Sequence, residues 1–391
     1  MCGPMRVWIA LTCIVLVPSA AQLPLGAALH ARASSAQTEG TLPEDVNPHS
    51  RNRLAVRGAD SPGRPTGAAA IRLHGSGGVL RWDTPLERPL LELAILTTAR
   101  EHDQPYEWSL HEMEAVAVGL DRAVIDVVRN RRPVTGLGDR EALIIRLGRE
   151  IFDRHQVSAN TYRQAVTLLG ESTLVNVVAL MGRYAGTAAR LTTFNQHMPP
   201  GWPQLLPLPF TPANDIHSDS RSRLPLIKGP AERRQTRPSL YGRTLSPEGT
   251  GPAHIRRHGA GFTSLAERVG QPLVDLATLV TARAYDVQYD WTMTELSAIE
   301  RGLATATIDV VRHRRPVTGL ADKEAAVITL GREILGMHNV SAKTYADAVK
   351  LFGTTDLVDL VDVIGAHAAD AALLIAFDQH LGVGQQPLLP E

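Results

Sequence analysis

The residues best suited to chemistry in this sequence are a carboxylate and an imidazole four residues apart, Glu107 and His111. On a helix this spacing puts both side chains on one face, where they can hydrogen-bond. A carboxylate beside an imidazole raises the pKa of the imidazole and orients its proton, which suits a general acid or base. Glu92 lies one predicted helix earlier and is expected to face the pair across an antiparallel turn. The alternative is an exposed pair that stabilises the helix by roughly a few tenths of a kcal/mol.

These residues lie in a segment that occurs twice. Residues 89–197 (copy one) align without a gap to residues 272–380 (copy two), at an offset of 272 − 89 = 183, and 58 of the 109 aligned positions are identical. A fixed offset over this length indicates a duplicated domain rather than a short-period solenoid. We therefore expect two similar domains, residues 79–197 and residues 261–391.

Each copy predicts an all-α domain. Apolar residues recur at helical spacing, and Pro, Gly, Ser and Asp occur where the predicted helices begin and end. The last predicted helix of copy one, from Leu174 to about Phe194, is apolar on most sides and carries a face of small residues. Copy two has the same face, so we expect the two last helices to pair the copies within the chain. The small positions are Gly182, Ala185 and Ala189, matched by Gly365, Ala368 and Ala372.

The segments outside the two copies lack apolar periodicity. Residues 22–78 are rich in Ala, Gly, Ser, Pro and Arg and predict a disordered leader, and residues 198–260 predict a Pro-rich linker. Residues 1–21 predict an export signal, because Arg6 precedes an apolar run and small residues precede Gln22. The run is short for a membrane span, which needs about 20 apolar residues. We expect export to the periplasm or the medium, with an uncleaved membrane anchor as the alternative.

The composition argues against several kinds of chemistry. The two cysteines, Cys2 and Cys13, both lie within the predicted signal, so a cleaved chain would hold no thiol, disulfide or Cys-ligated metal. Lys and Arg total 40, as do Asp and Glu, and this balance gives no reason to expect a nucleic-acid partner. We find no Cys–His cluster and no Gly-rich phosphate loop after a strand, and we therefore expect neither a metal nor a cofactor.

The pattern in both copies resembles the carboxymuconolactone decarboxylase family of the alkylhydroperoxidase-D-like superfamily. The resemblance covers nearly all of each copy. It implies an all-α fold of two tandem helical bundle domains, and a homo-oligomer of trimer or hexamer type with sites near subunit contacts. The segments that carry it in copy one are residues 92–95, 99–100, 106–111, 157–162, 169–171, 174–175 and 182–184.

The resemblance also implies a site. In the decarboxylase branch, acidic and histidine side chains move a proton without any cofactor, and here Glu92, Glu107 and His111 would form that catalytic set. In the peroxidase branch a Cys-x-x-Cys pair precedes the histidine, and the equivalent positions here are Gln104 and Glu107. Thiol peroxidase chemistry therefore lacks its nucleophile.

Three residues are expected to bind a small-molecule substrate: Tyr106 and Trp108 beside the catalytic set, and Arg132 in a basic loop. Residues 125–137 differ from residues 308–320 at one position only. An arginine in this block could hold a carboxylate substrate. The structural alternative is that arginines in the last helical turn favour the helix dipole and that Pro-Gly fixes a turn.

Copy two departs from the catalytic set. Its counterparts of Glu92, Glu107 and His111 are Asp275, Asp290 and Thr294. No imidazole remains at that position to titrate near neutrality, and we therefore expect copy two to be a scaffold. The alternative is that Tyr285, which replaces His102, gives it another role.

Three classes of function follow. The first is an exported carboxy-lyase or isomerase that uses acid–base chemistry on a small carboxylated lactone or enol. The second is a thiol peroxidase, which the missing cysteines oppose. The third is a binding or scaffold protein that has lost its cysteines and kept the fold. Export opposes the first class, because aromatic catabolic intermediates are normally cytoplasmic, whereas the catalytic set supports it.

Overall fold

The computed structural model describes residues 42–57, 65–77, 81, 84–208, 213–227 and 251–390. The predicted signal of residues 1–21, with both cysteines, lies outside the described residues. Regular secondary structure in the described part of the chain is entirely helical, which confirms the all-α prediction. No single helix there is long and apolar enough to cross a membrane, although the bent pair Ala159–Leu169 and Glu171–Thr193 meets that test by length and composition.

The helices of the first half begin and end at capping signals in the sequence. The Gln104 side chain accepts a hydrogen bond from the Tyr106 N–H at the start of α3, and Ser158 accepts one from the Thr161 N–H at the start of α6. Gly170, at φ 77°, separates α6 from α7 in a backbone conformation that favours glycine. The helices are α1 Gly67–Arg72, α2 Arg88–Glu101, α3 Pro105–Ala117, α4 Arg122–Arg129, α5 Asp139–Phe152, α6 Ala159–Leu169 and α7 Glu171–Thr193.

The helices of copy two repeat those of copy one. The bounds of α2 to α5 recur in α10 to α13 at the sequence offset, for example 271 − 88 = 183. Helix α14 spans the counterparts of α6 and α7 and bends at Gly353, the position equivalent to Gly170. The helices of the second half, of which α8 and α9 precede copy two, are α8 Gly251–Arg256, α9 Leu265–Val269, α10 Gln271–Ala284, α11 Gln288–Glu300, α12 Thr305–Arg312, α13 Asp322–Leu335 and α14 Ala342–Ala376.

The long helices α7 and α14 pack against each other, as their small-residue faces predict. A Cβ atom on Gly182 would lie 2.8 Å from the Ala369 Cα, so only small residues allow this approach. Arg190 of α7 forms a salt bridge with Asp362 of α14 beside the same contact. The two copies therefore share an apolar core. The last part of α14 and the residue after it, within residues 368–377, pack among the buried side chains of copy one.

A segment before copy one fastens the two copies together. Arm one, residues 42–57, lies inside the predicted disordered leader but is ordered by hydrogen bonds to both copies. The Arg53 N–H donates to the Phe377 carbonyl at the end of α14, at 2.9 Å. The Tyr162 hydroxyl of α6 donates to the Arg53 carbonyl at 3.1 Å. The prediction of a disordered leader is therefore wrong for this stretch, whose order depends on contacts distant in sequence.

The predicted linker contains a second segment with the same contacts. In arm two, residues 213–227, the Arg223 N–H donates to the Phe194 carbonyl at the end of α7, at 2.8 Å. The Tyr345 hydroxyl of α14 donates to the Arg223 carbonyl at 3.2 Å. Each arm thus joins one copy to the end of the other copy's last helix. Helix α8 is also ordered within residues 198–260.

Candidate functional site

The helical hairpin of α2 and α3 brings together three polar side chains of copy one, and Arg81, from the segment before α2, joins them. Glu92 Oε2 of α2 lies 2.7 Å from His111 Nδ1 of α3. Glu92 Oε1 also lies 3.1 Å from Arg81 Nη2, and the same guanidinium nitrogen contacts Glu114 of α3. A buried carboxylate needs such partners, because it loses the hydration it had in water. The predicted association of Glu92 with His111 is therefore present, with Arg81 and Glu114 as additional members.

The Glu92–His111 pair is buried rather than exposed. Glu92 is 0% exposed and His111 is 7% exposed. Glu107 is also buried, at 2% exposed, so the alternative of an exposed Glu107–His111 pair is excluded. Burial lowers the pKa of His111, and the Glu92 charge offsets only part of this shift. Burial alone would raise the pKa of Glu92, but His111 and Arg81 hold it below its ordinary value. Near neutral pH, these shifts favour an ionised Glu92 and a neutral imidazole. The Nδ1–H group of His111 then donates a hydrogen bond to the Glu92 carboxylate.

The other ring nitrogen of His111 is the atom suited to proton transfer. Nε2 makes no hydrogen bond to the described residues, and its lone pair is available when Nδ1 carries the proton. The Tyr184 ring of α7 packs edge-on against the imidazole, with 5.0 Å between centroids. An imidazole held by a carboxylate on one side and a phenol ring on another has a fixed orientation, which a general base requires.

Glu114 is a carboxyl group that can hold a proton at neutral pH. Burial raises its pKa to about 8, with a further contribution from Glu92, although the Arg81 charge acts in the opposite direction. The site therefore combines a neutral base, a carboxylic acid and a cation. Groups whose pKa values are displaced in this way are typical of functional sites, although structural ion pairs also show them.

Glu107 does not pair with His111, contrary to the prediction. Both of its carboxylate oxygens are buried and have no hydrogen-bond partner among the described residues. Burial raises the pKa of Glu107 well above its ordinary value, which favours the protonated carboxyl group. The i,i+4 spacing places Glu107 and His111 on one side of α3. Because α2 packs against α3, however, the imidazole pairs with Glu92 instead.

The three residues predicted to bind substrate are not brought together with His111. Tyr106 is buried in an apolar cluster with Phe194 and side chains of copy two. The Trp108 indole N–H donates to Glu112 at 2.6 Å. Arg132 is exposed, and its carbonyl accepts a hydrogen bond from Arg149. For Arg132, this contact favours the structural alternative for the basic block.

In copy two the imidazole comes from a different helix. Thr294 occupies the position of His111, as the sequence shows, but His367 occupies the position of Tyr184, since 367 − 183 = 184. His367 Nδ1 lies 3.9 Å from Asp290 Oδ2. Sequence comparison at the catalytic positions alone missed this histidine, because it lies far along the chain from Asp290.

Three side chains of the site could hold a metal ion. One ligand atom from each of Glu92, His111 and Glu114 lies within 4.8 Å of the others. Arg81 already contacts both carboxylates and compensates their charge, so a cation would have to compete with it. A His-x-x-x-His pair, His254 and His258, lies outside both copies, and its rings are 5.1 Å apart. Helix α8 ends at Arg256, so the two histidines do not share one helix face.

A groove of about 530 Å³ lies elsewhere on the molecule. It is lined by arm one, α1, Tyr289 and Met293 of α11, and the segment after α14. Glu92, His111 and Glu114 do not line it. The polar cluster of copy one is thus a compact buried site rather than the wall of this groove.

No family model, no curated protein and no solved structure matches this chain.

Proposed function

We propose that the protein is a cofactor-independent lyase or isomerase that acts on a small carboxylated lactone or enol. The observation that carries this proposal is the buried Glu92–His111 pair, at 2.7 Å, beside the Arg81 guanidinium. The resemblance of the sequence to the carboxymuconolactone decarboxylase family supports the same reaction type. We further propose that residues 1–21 direct export and that the chain forms a trimer-like homo-oligomer, as that resemblance and the N-terminal sequence suggest.

The proposed base is His111 Nε2. In an isomerisation it would remove a proton from the carbon next to a carbonyl and return it to the other end of the resulting enolate. Glu92 would stabilise the imidazolium formed between these two steps, as a carboxylate does for a catalytic histidine.

Arg81 is the proposed partner of a substrate carboxylate. Its side chain is 19% exposed, more than those of Glu92, His111 and Glu114. A guanidinium can form two parallel hydrogen bonds to a carboxylate. In a decarboxylation, the electrons of the broken C–CO₂ bond would pass into an enolate, and protonated Glu114 would supply the proton to carbon.

A second candidate is a binding or scaffold protein without catalysis. The position of the groove favours it, because the groove lies apart from Glu92 and His111. A small ligand bound there would leave the buried pair as a structural ion pair.

The test is a screen of lactones and β-keto acids at neutral pH, followed by matched variants. General acid–base groups contribute about 10²–10⁴-fold to rate. His111→Gln should therefore remove most turnover, whereas Thr294→Ala, at the equivalent position of copy two, should change little. Full activity in His111→Gln, or equal loss in both variants, would contradict the proposal. Circular dichroism of His111→Gln separates lost chemistry from lost structure, because this histidine is buried.

A further inference from the structure

The exchange of Tyr184 for His367 gives copy two an imidazole in surroundings that differ from those in copy one. His367 lies on α14, and its Nε2 is 3.0 Å from Thr278 Oγ1 of α10. Its Nδ1 atom is buried, has no hydrogen-bond partner among the described residues, and faces Asp290 Oδ2 of α11 at 3.9 Å. Three helices thus fix the position of this ring.

Asp275, which corresponds to Glu92, already has hydrogen-bond partners for both of its carboxylate oxygens. Asp275 accepts hydrogen bonds from Arg301 Nε at 2.7 Å and from Gln271 Nε2 at 2.8 Å. Arg301 thus has the charge-compensating role that Arg81 has in copy one. Asp290 has no such arginine in the described part of the chain, which leaves it facing His367.

The imidazole of copy two is also the more accessible one. The His367 side chain is 31% exposed, compared with 9% for His111. A group that exchanges protons with a substrate needs a fixed orientation and a nitrogen that the substrate can reach. Because Nδ1 of His367 is buried, the candidate atom is Nε2, which contacts the Thr278 hydroxyl.

We propose that copy two holds a second acid–base site, in which His367 of α14 is the proton-transferring group and Asp290 and Thr278 position it. This proposal does not depend on the proposed function of copy one. It replaces the sequence-based expectation that copy two is a scaffold.

The charges around His367 favour an uncharged substrate. The charges of Asp290, Asp370 and Asp275 all act on the imidazole, and two arginines pair with two of these aspartates, Arg301 with Asp275 and Arg72 with Asp370. The balance is one net negative charge with a neutral imidazole, which disfavours an anion. We therefore infer that the second site takes a small uncharged carbonyl compound such as an ester or a lactone.

The test uses hydrolysis of 4-nitrophenyl acetate, an uncharged activated ester, as the probe. Water adds to the acetyl carbon, the bond to oxygen breaks, and 4-nitrophenolate leaves. The imidazole takes a proton from the attacking water and returns it to solvent, so the products are acetate, 4-nitrophenolate and protons. The liberated 4-nitrophenolate is followed by absorbance.

The decisive variant is His367→Tyr, because copy one already accommodates tyrosine at this position. We expect its hydrolysis rate to fall about tenfold or more, given the usual contribution of a general base. The matched control is His313→Gln, an exposed histidine of copy two, which should retain the wild-type rate. A rate in His367→Tyr equal to that of wild type would overturn the proposal. So would a loss that appears in His111→Gln instead, since that would place the activity in copy one.

A second variant tests the positioning role of Asp290. Asp290→Asn removes the charge that faces Nδ1, while the charges of Asp275, Asp370, Arg301 and Arg72 remain. We expect the midpoint of the pH–rate profile to move to lower pH, because the imidazolium loses a stabilising partner. An unchanged profile would contradict the proposed pairing.

Discussion

Gly186 of α7 and Gly365 of α14 meet backbone to backbone, and neither has room for a side chain. A Cβ atom on Gly365 would lie 2.9 Å from the Gly186 Cα, which is closer than real Cβ atoms come to backbone. Glycine inside a helix normally costs about 1 kcal/mol relative to alanine. At this contact we expect the opposite, with glycine more stabilising than alanine.

We expect Gly365→Ala to lower the free energy of unfolding by about 1–3 kcal/mol, because the added methyl group forces the two helices apart. Urea unfolding followed by circular dichroism measures the change. Ala346→Leu, on an exposed position of the same helix, should stay within about 0.5 kcal/mol of wild type. A Gly365→Ala protein as stable as wild type would show that the helices do not pack this closely.

The unpartnered Glu107 carboxyl should reduce stability. Glu107→Leu removes a buried group without hydrogen bonds, and we expect the free energy of unfolding at pH 7 to rise by about 1–3 kcal/mol. The folded-state pKa is raised, so the wild-type protein should lose stability as pH rises above 4.5, and Glu107→Leu should lack this part of the loss. Glu112→Leu on the same helix should instead destabilise, because Glu112 accepts a hydrogen bond from Trp108.

His102 lies between the two copies, because its Nε2 atom is 3.2 Å from the Tyr285 hydroxyl of copy two, and it should make this contact sensitive to acid. Burial, together with the His338 charge, lowers the pKa of His102 from 6.5 to about 3. Between about pH 6.5 and pH 3, His102 therefore binds a proton in the unfolded chain but not in the folded chain. Stability should fall as pH drops from about 6.5 towards 3, by up to about 1.4 kcal/mol per pH unit for this group.

His102→Gln should flatten this dependence. Unfolding by urea at pH 7 and at pH 5 gives the two free energies, and their difference should be smaller in His102→Gln than in wild type. His49→Gln, an exposed histidine in arm one, is the control and should keep the wild-type difference. If both variants behave alike, His102 is not the group responsible.

Arg81 should contribute more to stability than an exposed arginine does. Arg81→Met leaves the buried charge of Glu92 with one partner fewer, and we expect a loss of about 3–5 kcal/mol at pH 7. Arg140→Met breaks an exposed pair with Glu87 and should cost about 0–1 kcal/mol. Thermal unfolding of the two variants compares them directly, and equal melting temperatures would argue against a buried ion network.

The helices could be predicted from the sequence because their signals are local. Ser158 and Gly170 bound α6 where a cap and a left-handed residue are needed, and the small residues of α7 indicated its partner. The pairing of side chains across the α2–α3 hairpin was harder to predict from the sequence. Both Glu92 and Glu107 could reach His111 by spacing, and only the packing of α2 on α3 decides between them.

The arms were missed because their recurrence has a different offset. Asp45 and Arg53 of arm one correspond to Asp215 and Arg223 of arm two at 215 − 45 = 170, whereas the gapless alignment used 183. Each Asp–Arg pair forms the same ion pair, at 2.8 Å and 2.7 Å. A comparison that allowed a gap would have predicted ordered segments there. His367 was missed for another reason, since its proximity to Asp290 arises only when α14 packs on α11.

The crossed arms make this chain resemble two subunits in one polypeptide. Each arm leaves one half and closes on the other, as in a dimer whose subunits exchange segments. The connection between the halves then acts as a tether that replaces association in solution with a high effective concentration. A chain cut between residues 208 and 213 would give two fragments. Each fragment would carry its own arm and the helix end to which the arm of the other fragment binds. Their reassembly would depend on concentration, whereas the folding of the intact chain would not.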